Sequence, residues 1–178
     1  MPRVRTRTAA GTLHIMQAAA PALKLIGYKA YYSAKGKGTR YFVHLFDSDS
    51  GKLTAIIEAS CLGMVRTGAA SGVATRYLAR EDTAVVAMIG AGKQAVGQLE
   101  AVCEVRKIRE VRVYSRSAER AAGFCAALSG KLGVAMHPVV SAAEAVRGAD
   151  IVNVITNAAA PVLEGRWLEP GQHVNAAG

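Results

Sequence analysis

The feature that most constrains this chain is an apolar, largely β-branched run at residues 84–89 that ends in Gly90-Ala91-Gly92. A run of this kind without polar alternation predicts a strand buried on both faces. Apolar residues then take up helical spacing over residues 94–102. A strand, a glycine turn and a helix start favour anion binding, because free backbone N–H groups and the positive helix end face one space. The stretch therefore predicts a dinucleotide-binding site.

The spacing Gly-x-Gly-x-x-Ala predicts a role for each small residue. We expect Gly90 to allow the tight turn, Gly92 to let the backbone approach a pyrophosphate, and Ala95 to allow close packing of helix on strand. A merely structural strand–turn–helix is the alternative, but the flanking patterns favour cofactor binding. The predicted cofactor-binding segment is Gly90, Ala91, Gly92, Lys93, Gln94 and Ala95.

Composition limits the class of protein. A chain of 178 residues with 51% hydrophobic residues can form one core, or one core and part of another. No stretch reaches the roughly 20 apolar residues of a membrane span, and no apolar signal-peptide core follows the basic start. Cys61, Cys103 and Cys125 are scattered, which predicts buried thiols in a reducing compartment and neither a disulfide framework nor a metal site. We therefore expect a cytoplasmic protein without a membrane partner.

The net charge of +9 admits nucleic acid, an anionic ligand or a solvated basic surface. The one dense basic cluster is Arg3, Arg5 and Arg7, which would lie on one face if the segment is a strand. This arrangement favours a local carboxylate or phosphate site. Nucleic-acid binding is not favoured, because interleaved aromatic residues and a recognisable binding module are lacking.

The first part of the chain predicts strands and then one helix. The strands are predicted at residues 12–16, 24–33, 41–46 and 53–57, and the last two flank a polar turn that predicts a hairpin. Asp47, Asp49 and Glu58 match three positions of a calcium loop, but its required glycine falls at Lys52, so a polar turn is favoured. Residues 59–80 predict a helix rich in glycine. Since each helical glycine costs about 1 kcal/mol, a neighbouring element or ligand should approach closely.

Strands and helices alternate in the second part of the chain. After the glycine turn, strands are predicted at residues 110–114, 133–137, 151–155 and 172–176, and helices at 117–128 and 141–147, with Ser117 as an N-cap. The alternation predicts right-handed βαβ units and a parallel sheet of five strands. The ligand crevice should lie at the carboxyl ends of the first and fourth strands. This brings residues 90–94 beside Thr156 and Asn157.

The end of the second parallel strand indicates which dinucleotide is bound. NAD-preferring sites carry an Asp or Glu there, whereas this chain has Ser115-Arg116-Ser117. A guanidinium binds a 2′-phosphate with two hydrogen bonds and can stack on adenine. The sequence therefore favours NADP(H) over NAD(H). The alternative is that Arg116 is an ordinary exposed arginine at a helix start. Ser115, Arg116, Ser117 and Thr156 complete the predicted cofactor contacts.

The sequence resembles the ornithine cyclodeaminase/mu-crystallin family, which includes archaeal-type alanine dehydrogenases and ketimine reductases. The resemblance covers nearly the whole chain. It rests on five segments, namely Gly27-Tyr28-Lys29 and residues 66–71, 89–95, 147–152 and 161–178.

The resemblance implies a fold, an activity and several site residues. The implied fold is α/β, with a partial α+β substrate-binding and dimerisation domain at residues 1–80 and a Rossmann-type dinucleotide-binding domain at 81–178. The implied chemistry is hydride exchange between a nicotinamide cofactor and an amino acid or cyclic imine. By resemblance, Arg3 and Arg66 hold the substrate carboxylate and Lys29 lies near the reacting centre. Without the resemblance, the sequence alone would predict that Lys29 is a solvated lysine on a strand. The complete protein is expected to be a homodimer.

Two departures from the family pattern affect these expectations. The family has further residues before the position of Arg3, and a catalytic aspartate beyond the position of Gly178. We therefore expect a fragment with exposed sheet edges and apolar faces, and little turnover by these residues alone. The leading hypothesis is an NADP(H)-linked amino-acid or imino-acid oxidoreductase or cyclodeaminase. The alternative is a non-catalytic cofactor-binding protein of the mu-crystallin type. The substrate stays open, because ornithine, alanine and cyclic imines present the same carboxylate.

Overall fold

The computed structural model describes residues 3–34 and 36–178. The chain divides into two compact units after Gly63, earlier than the boundary predicted at residue 80. The glycine-rich helix α1 (Leu62–Leu78) packs against a helix of the second unit, which moves the division toward the amino terminus. The assignment of separate substrate and cofactor roles to the two units stays a prediction.

Within its described residues, the first unit is a five-stranded antiparallel sheet. The strands follow chain order across the sheet: β1 (Val4–Thr8), β2 (Gly11–Ala20), β3 (Leu25–Ala34), β4 (Gly38–Asp47) and β5 (Leu53–Glu58). The four strands predicted in this part are confirmed, and the basic segment, for which a strand was one possibility, forms β1. β2 and β4 are longer than predicted, because both pair with β3 over its full length.

The turn between β4 and β5 is a polar hairpin turn, as predicted. Asp47 Oδ1 accepts hydrogen bonds from the backbone N–H of Ser50 at 2.7 Å and from its hydroxyl at 2.6 Å. These bonds hold the pKa of Asp47 below its ordinary value. Asp49 instead pairs with Lys24 Nζ at 2.7 Å. Among the residues that the structure describes, no group of three or more His, Cys, Asp or Glu side chains could share a metal ion.

The small residues of α1 are explained by α2 (Lys93–Val105). A Cβ added to Gly68 would overlap the carbonyl of Gly97, and one added to Gly72 would lie 3.0 Å from Ala101. The predicted close approach is thus confirmed, and the partner is a helix. Arg106 closes the carboxyl end of α1, since its guanidinium donates to the carbonyls of Thr75 and Ala79 at 3.1 and 2.8 Å.

Over residues 64–178, all of which are described, the second unit contains a five-stranded parallel sheet. Its strands are β6 (Val85–Ile89), β7 (Glu110–Tyr114), β8 (Ala135–Pro138), β9 (Ile151–Val154) and β10 (His173–Ala176), in the order β10-β9-β6-β7-β8. The connecting helices include α3 (Ala118–Leu132) and α4 (Ala142–Val146). All the predicted elements of this part are confirmed. The strand order reverses beside β6, because the chain first builds β7 and β8 on one side and later β9 and β10 on the other.

The core explains why β6 shows no polar alternation. Val86 and Met88 belong to a buried cluster with residues of α2 and α3 on one face of the sheet. Ala87 and Ile89 belong to a second buried cluster with residues of α4 on the opposite face. Both faces of the strand are therefore covered, which is the arrangement that continuous apolar runs favour.

The amino end of β6 is held by Asp150. Its Oδ2 accepts from the backbone N–H groups of Ala84 and Val85 at 2.8 and 2.9 Å, and its Oδ1 accepts from Arg80 at 2.7 Å. Burial raises the pKa of Asp150, but these donors outweigh burial and the pKa lies below its ordinary value. One carboxylate thus fixes the start of the central strand.

The cysteine environments correct one expectation. All three thiols are free, but Cys61 is exposed, Cys103 is partly buried and only Cys125 is buried. The prediction of buried thiols is wrong for Cys61 because this residue lies in the turn that precedes α1. In the described part of the chain, none of the helices combines the length and the apolarity needed to cross a bilayer.

Apolar side chains are exposed in both units. In the first unit, Leu53, Ile56 and Ile57 of the edge strand β5 are exposed. In the second unit, Val73, Tyr77 and Leu78 of α1 are exposed.

Candidate functional site

The glycine turn after β6 is fixed between the two neighbouring strands. The backbone N–H of Gly90 donates to the carbonyl of Tyr114 at 2.9 Å. Gly90 has φ +115°, which favours glycine. A Cβ at this position would overlap the carbonyl of Ile155 and would lie 3.2 Å from Thr156 Cγ2. The predicted proximity of the turn to Thr156 is confirmed, and Gly90 is required by the fold itself.

Gly92 differs from Gly90, because neither its conformation nor its packing requires glycine. It is the N-cap of α2 with φ −96° and ψ 178°, no side chain caps the helix there, and a Cβ would meet no protein atom within 4 Å. The space in front of this helix start is therefore open. Approach of a ligand to the backbone is a physical reason for the missing side chain.

The residues after Gly92 fit an anionic nucleotide at the helix start. Lys93 is exposed beside the turn, and Ala95 is fully buried where the helix meets the sheet. Gln94 Oε1 is buried and has no hydrogen-bond partner among the described residues. A buried acceptor without a partner costs free energy, so Gln94 carries an unsatisfied polar atom at the helix start.

The end of β7 carries the predicted Ser115-Arg116-Ser117 segment. Arg116 is exposed and has no ion-pair partner among the residues that the structure describes, and Ser115 is partly buried. Ser117 is the N-cap of α3, as predicted, and its hydroxyl accepts from the backbone N–H of Arg120 at 3.2 Å. The same hydroxyl donates to Glu119 at 2.7 Å. The only donor of this hydroxyl is thus used within the helix start.

Glu119 is a residue that sequence reasoning missed. The hydroxyl of Ser117 holds the pKa of this carboxyl below its ordinary value, so Glu119 is charged at neutral pH. A carboxylate therefore follows Arg116 by three residues, although none occurs at residues 115–117. The signal was present in the sequence as an acidic residue in the first turn of a predicted helix.

In the first unit, Arg3 and Lys29 meet at one aromatic ring. The guanidinium carbon of Arg3 lies 5.9 Å from the centroid of the Tyr31 ring, and Lys29 Nζ lies 5.5 Å from it. Lys29 Nζ also lies 5.9 Å from the ring of Tyr41. The structure thus brings together two of the three residues that the resemblance associates with substrate.

His14 completes this aromatic cluster. Strand pairing places His14 opposite Tyr31, and the two rings stack 4.4 Å apart at an angle of 6°. Burial lowers the pKa of His14, and the charges of Arg3, Arg5 and Arg7 lower it further. Sequence reasoning missed His14, Tyr31 and Tyr41, because cross-strand neighbours depend on register. The only available signal was the spacing of two residues between Lys29 and Tyr31.

Arg66, the third predicted substrate residue, lies in the second unit. It is exposed near the amino end of α1. The neighbouring carbonyl of Thr67 accepts from Gln98 Nε2 of α2 at 3.2 Å. The helix turn that carries Arg66 is therefore tied to the helix that starts at the glycine turn. A shared role of Arg66 with Arg3 and Lys29 stays a prediction.

A buried polar cluster joins α1 to the parallel sheet. Asn175 Nδ2 donates to Thr75 Oγ1 at 2.9 Å and to Asn153 Oδ1 at 2.8 Å. His173 Nε2 lies 3.1 Å from Asn175 Oδ1. Since polar groups are costly to bury without partners, this cluster favours one position of α1 on the sheet.

Comparison with known proteins assigns the chain to a protein family. The sequence profile of the ornithine cyclodeaminase/mu-crystallin family matches residues 1–178. The chain belongs to this family. A Delta(1)-pyrroline-2-carboxylate reductase of Bacillus cereus is 40% identical to this chain over 173 residues. The match covers 94% of this chain and 53% of the relative.

Solved structures of the family agree with the fold. The Delta(1)-pyrroline-2-carboxylate reductase of Thermococcus litoralis, in complex with NADH and L-proline, gives a TM-score of 0.89 at 36% identity over 98% of this chain and 56% of its own. An archaeal alanine dehydrogenase dimer with bound NAD gives a TM-score of 0.88 at 30% sequence identity. The match covers 98% of this chain and 55% of the alanine dehydrogenase chain. The chain spans about half the length of the family members that it matches.

Proposed function

We propose that this chain binds a reduced or oxidised nicotinamide dinucleotide at the glycine turn and belongs to a protein that interconverts an imino acid and an amino acid. The observation that carries the proposal is the contrast between the two glycines. Gly90 is required by the fold, whereas Gly92 leaves open space at an uncapped helix start. Family membership and the names of the relatives support the reaction class.

The cofactor contacts follow from the crevice. Backbone N–H groups at the start of α2 face the pyrophosphate, with Lys93 beside them, and Thr156 lies across the turn from Gly90. We propose a preference for NADP(H), because Arg116 is exposed where a 2′-phosphate would lie. Ser115 is the second contact. The predicted contact of Ser117 is weakened by the bonds of its hydroxyl to Arg120 and Glu119.

The chemistry is a balanced two-electron reduction. When bound, the reduced nicotinamide supplies a hydride to the carbon of the C=N bond, and the imine nitrogen takes up a proton. Lys29 Nζ holds a proton that can pass to this nitrogen. Arg3 and Arg66 are proposed to bind the substrate carboxylate, since a guanidinium matches its two oxygens. The reverse sequence oxidises an amino acid.

Two further expectations belong to this proposal. The dimeric state of the alanine dehydrogenase relative supports a homodimer for the protein to which this chain belongs. The second candidate function is cofactor binding without turnover. Because the chain spans about half the length of its relatives, we expect these 178 residues to bind cofactor more readily than they reduce imines.

The proposal is tested by cofactor-induced thermal stabilisation. NADPH should raise the melting temperature of the parent chain, and Gly92→Val should abolish the rise because the side chain blocks the pyrophosphate. Gly130→Val is the matched control, since Gly130 lies in α3 and a Cβ there also meets no protein atom within 4 Å. The control should keep the rise. If Gly92→Val binds NADPH as well as the parent, the cofactor site is elsewhere.

The reaction is tested separately by following NADPH consumption with Delta(1)-pyrroline-2-carboxylate. Binding of NADPH without consumption supports the second candidate function. Ordinary enzyme turnover, on the order of 1–1000 per second, would contradict the expectation of low activity for these residues.

A further inference from the structure

We propose that Tyr31 is a positioning residue that holds both substrate-binding cations of the first unit, Arg3 and Lys29, on one face of the antiparallel sheet. This inference rests on the proposed function and adds to it a residue with no predicted role. The ring of Tyr31 lies within 6 Å of both cationic groups.

Strand geometry brings these groups together. Alternation along β3 puts Lys29 and Tyr31 on the same face. Pairing places Tyr41 of β4 opposite Tyr31 on one side and His14 of β2 opposite it on the other. Tyr31 is therefore the central ring of a row of three across the sheet, and Arg3 reaches it from the end of β1.

The neighbouring rings fix the orientation of Tyr31. His14 stacks on it with the two planes almost parallel, at an angle of 6°. The ring of Tyr41 lies 5.1 Å away and is tilted by 31°. A ring that is packed between two others has few alternative rotamers, so its electron-rich face stays in one place.

A fixed aromatic face attracts cations and limits their motion. The ring quadrupole attracts an ammonium or guanidinium within about 6 Å of the centroid. Lys29 Nζ lies near two such rings, at 5.5 and 5.9 Å. Arg3 and Lys29 repel each other, and a shared aromatic ring offsets this repulsion while no substrate is present. Their charged groups are thus placed before an anionic substrate arrives, which lowers the entropic cost of binding it.

The position of Lys29 can be measured without any activity. Reductive methylation with ¹³C-formaldehyde labels the lysine amines of the full chain, and the Lys29 signal is assigned by its loss in Lys29→Arg. Ring currents of Tyr31 and Tyr41 should shift this signal upfield. Because removal of the ring alters this shift by itself, the restraint on Lys29 is read from the ¹³C relaxation of the labelled methyl groups. Tyr31→Leu should raise their mobility toward that of exposed lysines, whereas Tyr31→Phe, which keeps the ring, should leave it as in the parent.

The matched control is Tyr32→Leu, because Tyr32 follows on the same strand and points to the opposite face. It should leave the mobility of the Lys29 methyl groups unchanged. Unchanged mobility in Tyr31→Leu, or an equal change in Tyr31→Phe, would overturn the proposal. If Tyr31→Leu fails to fold, Tyr41→Leu removes the second ring and should give a smaller change of the same sign.

The kinetic consequence separates this inference from the proposed function. With an imino-acid substrate, Tyr31→Leu should lower kcat/KM about two- to fivefold, as expected for loss of one exposed cation–π contact. NADPH-induced stabilisation should stay as in the parent, since Tyr31 is not among the proposed cofactor contacts. If the parent binds NADPH but reduces no imine, the second candidate function is favoured over the proposed reaction, while the Lys29 signals still decide the role of Tyr31.

Discussion

Arg116 and Glu119 place opposite charges at the start of α3, beside the proposed 2′-phosphate site. Arg116 is exposed and Glu119 is held charged by Ser117. We expect Arg116→Asp to reverse the cofactor preference from NADPH to NADH, because an anion repels the phosphate and can accept from ribose hydroxyls. Titration of both cofactors against parent and variant measures this change.

The control for this prediction is Arg109→Asp. Arg109 is also exposed but lies at the opposite, amino end of β7. Arg109→Asp changes the net charge by the same amount as Arg116→Asp. It should leave the preference for NADPH over NADH as in the parent. Equal affinity of the parent chain for NADH and NADPH would remove the basis of the prediction.

The cysteines give a second prediction at this scale. Burial raises the pKa of Cys103 to about 11, so at pH 8 about one Cys103 thiol in a thousand is the reactive thiolate. Cys61 is exposed. Iodoacetamide should therefore label Cys61 first in the native chain, as read by peptide mass spectrometry. Labelling of Cys103 at the same rate would contradict the described packing around it.

At the scale of elements, the contact between α1 and α2 depends on missing side chains. Gly68→Ala should lower the free energy of unfolding by about 1–3 kcal/mol, because the added methyl group overlaps the Gly97 carbonyl. Gly63→Ala is the matched control in the same helix, since a Cβ there meets no protein atom within 4 Å. Its expected effect is a small gain, about 0.5–1 kcal/mol. Urea unfolding of both variants tests the difference.

Local patterns predicted the elements well, whereas contacts between elements were only partly predictable. The apolar run of β6 and the turn at Gly90 were identified because burial on both faces leaves a direct trace in the sequence. The glycines of α1 indicated a close neighbour, but not that it is α2. The meeting of Arg3 and Lys29 at Tyr31 depends on the register of three strands, which no local pattern encodes.

At the scale of the whole molecule, stability should fall with decreasing pH. The depressed pKa of Asp150 means that the unfolded chain binds its proton more readily. The stabilisation is therefore complete above the ordinary carboxyl pKa, near 4, and is lost as pH falls through the lower folded value. His14 also has a lowered pKa, so protonation of the unfolded chain below about pH 6.5 adds to the loss.

The contribution of Asp150 to the free energy of unfolding can be measured by comparison with Asp82, a second carboxylate that pairs with Arg80. Asp150→Ala should lower the free energy of unfolding at pH 7 by about 1.5–3 kcal/mol, because charged hydrogen bonds to Arg80 and two backbone groups are lost. Asp82 also pairs with Arg80, but its side chain is 80% exposed. Asp82→Ala should therefore cost less than about 1 kcal/mol. Equal losses would show that Asp150 does not hold the start of β6.

The open space at Gly92 implies that selection for heat resistance and selection for cofactor retention oppose each other at this one position. With φ −96°, a serine fits there without strain and would cap α2, which now lacks a side-chain cap. In a library evolved by heat challenge without nucleotide, Gly92→Ser should accumulate, because it adds a few tenths of a kcal/mol as an N-cap and restricts the unfolded chain. In a library retained on a nucleotide-affinity matrix, the glycine should persist, since the added side chain occupies the space of the phosphates. Sequencing position 92 in the two populations would measure how strongly cofactor binding constrains this residue.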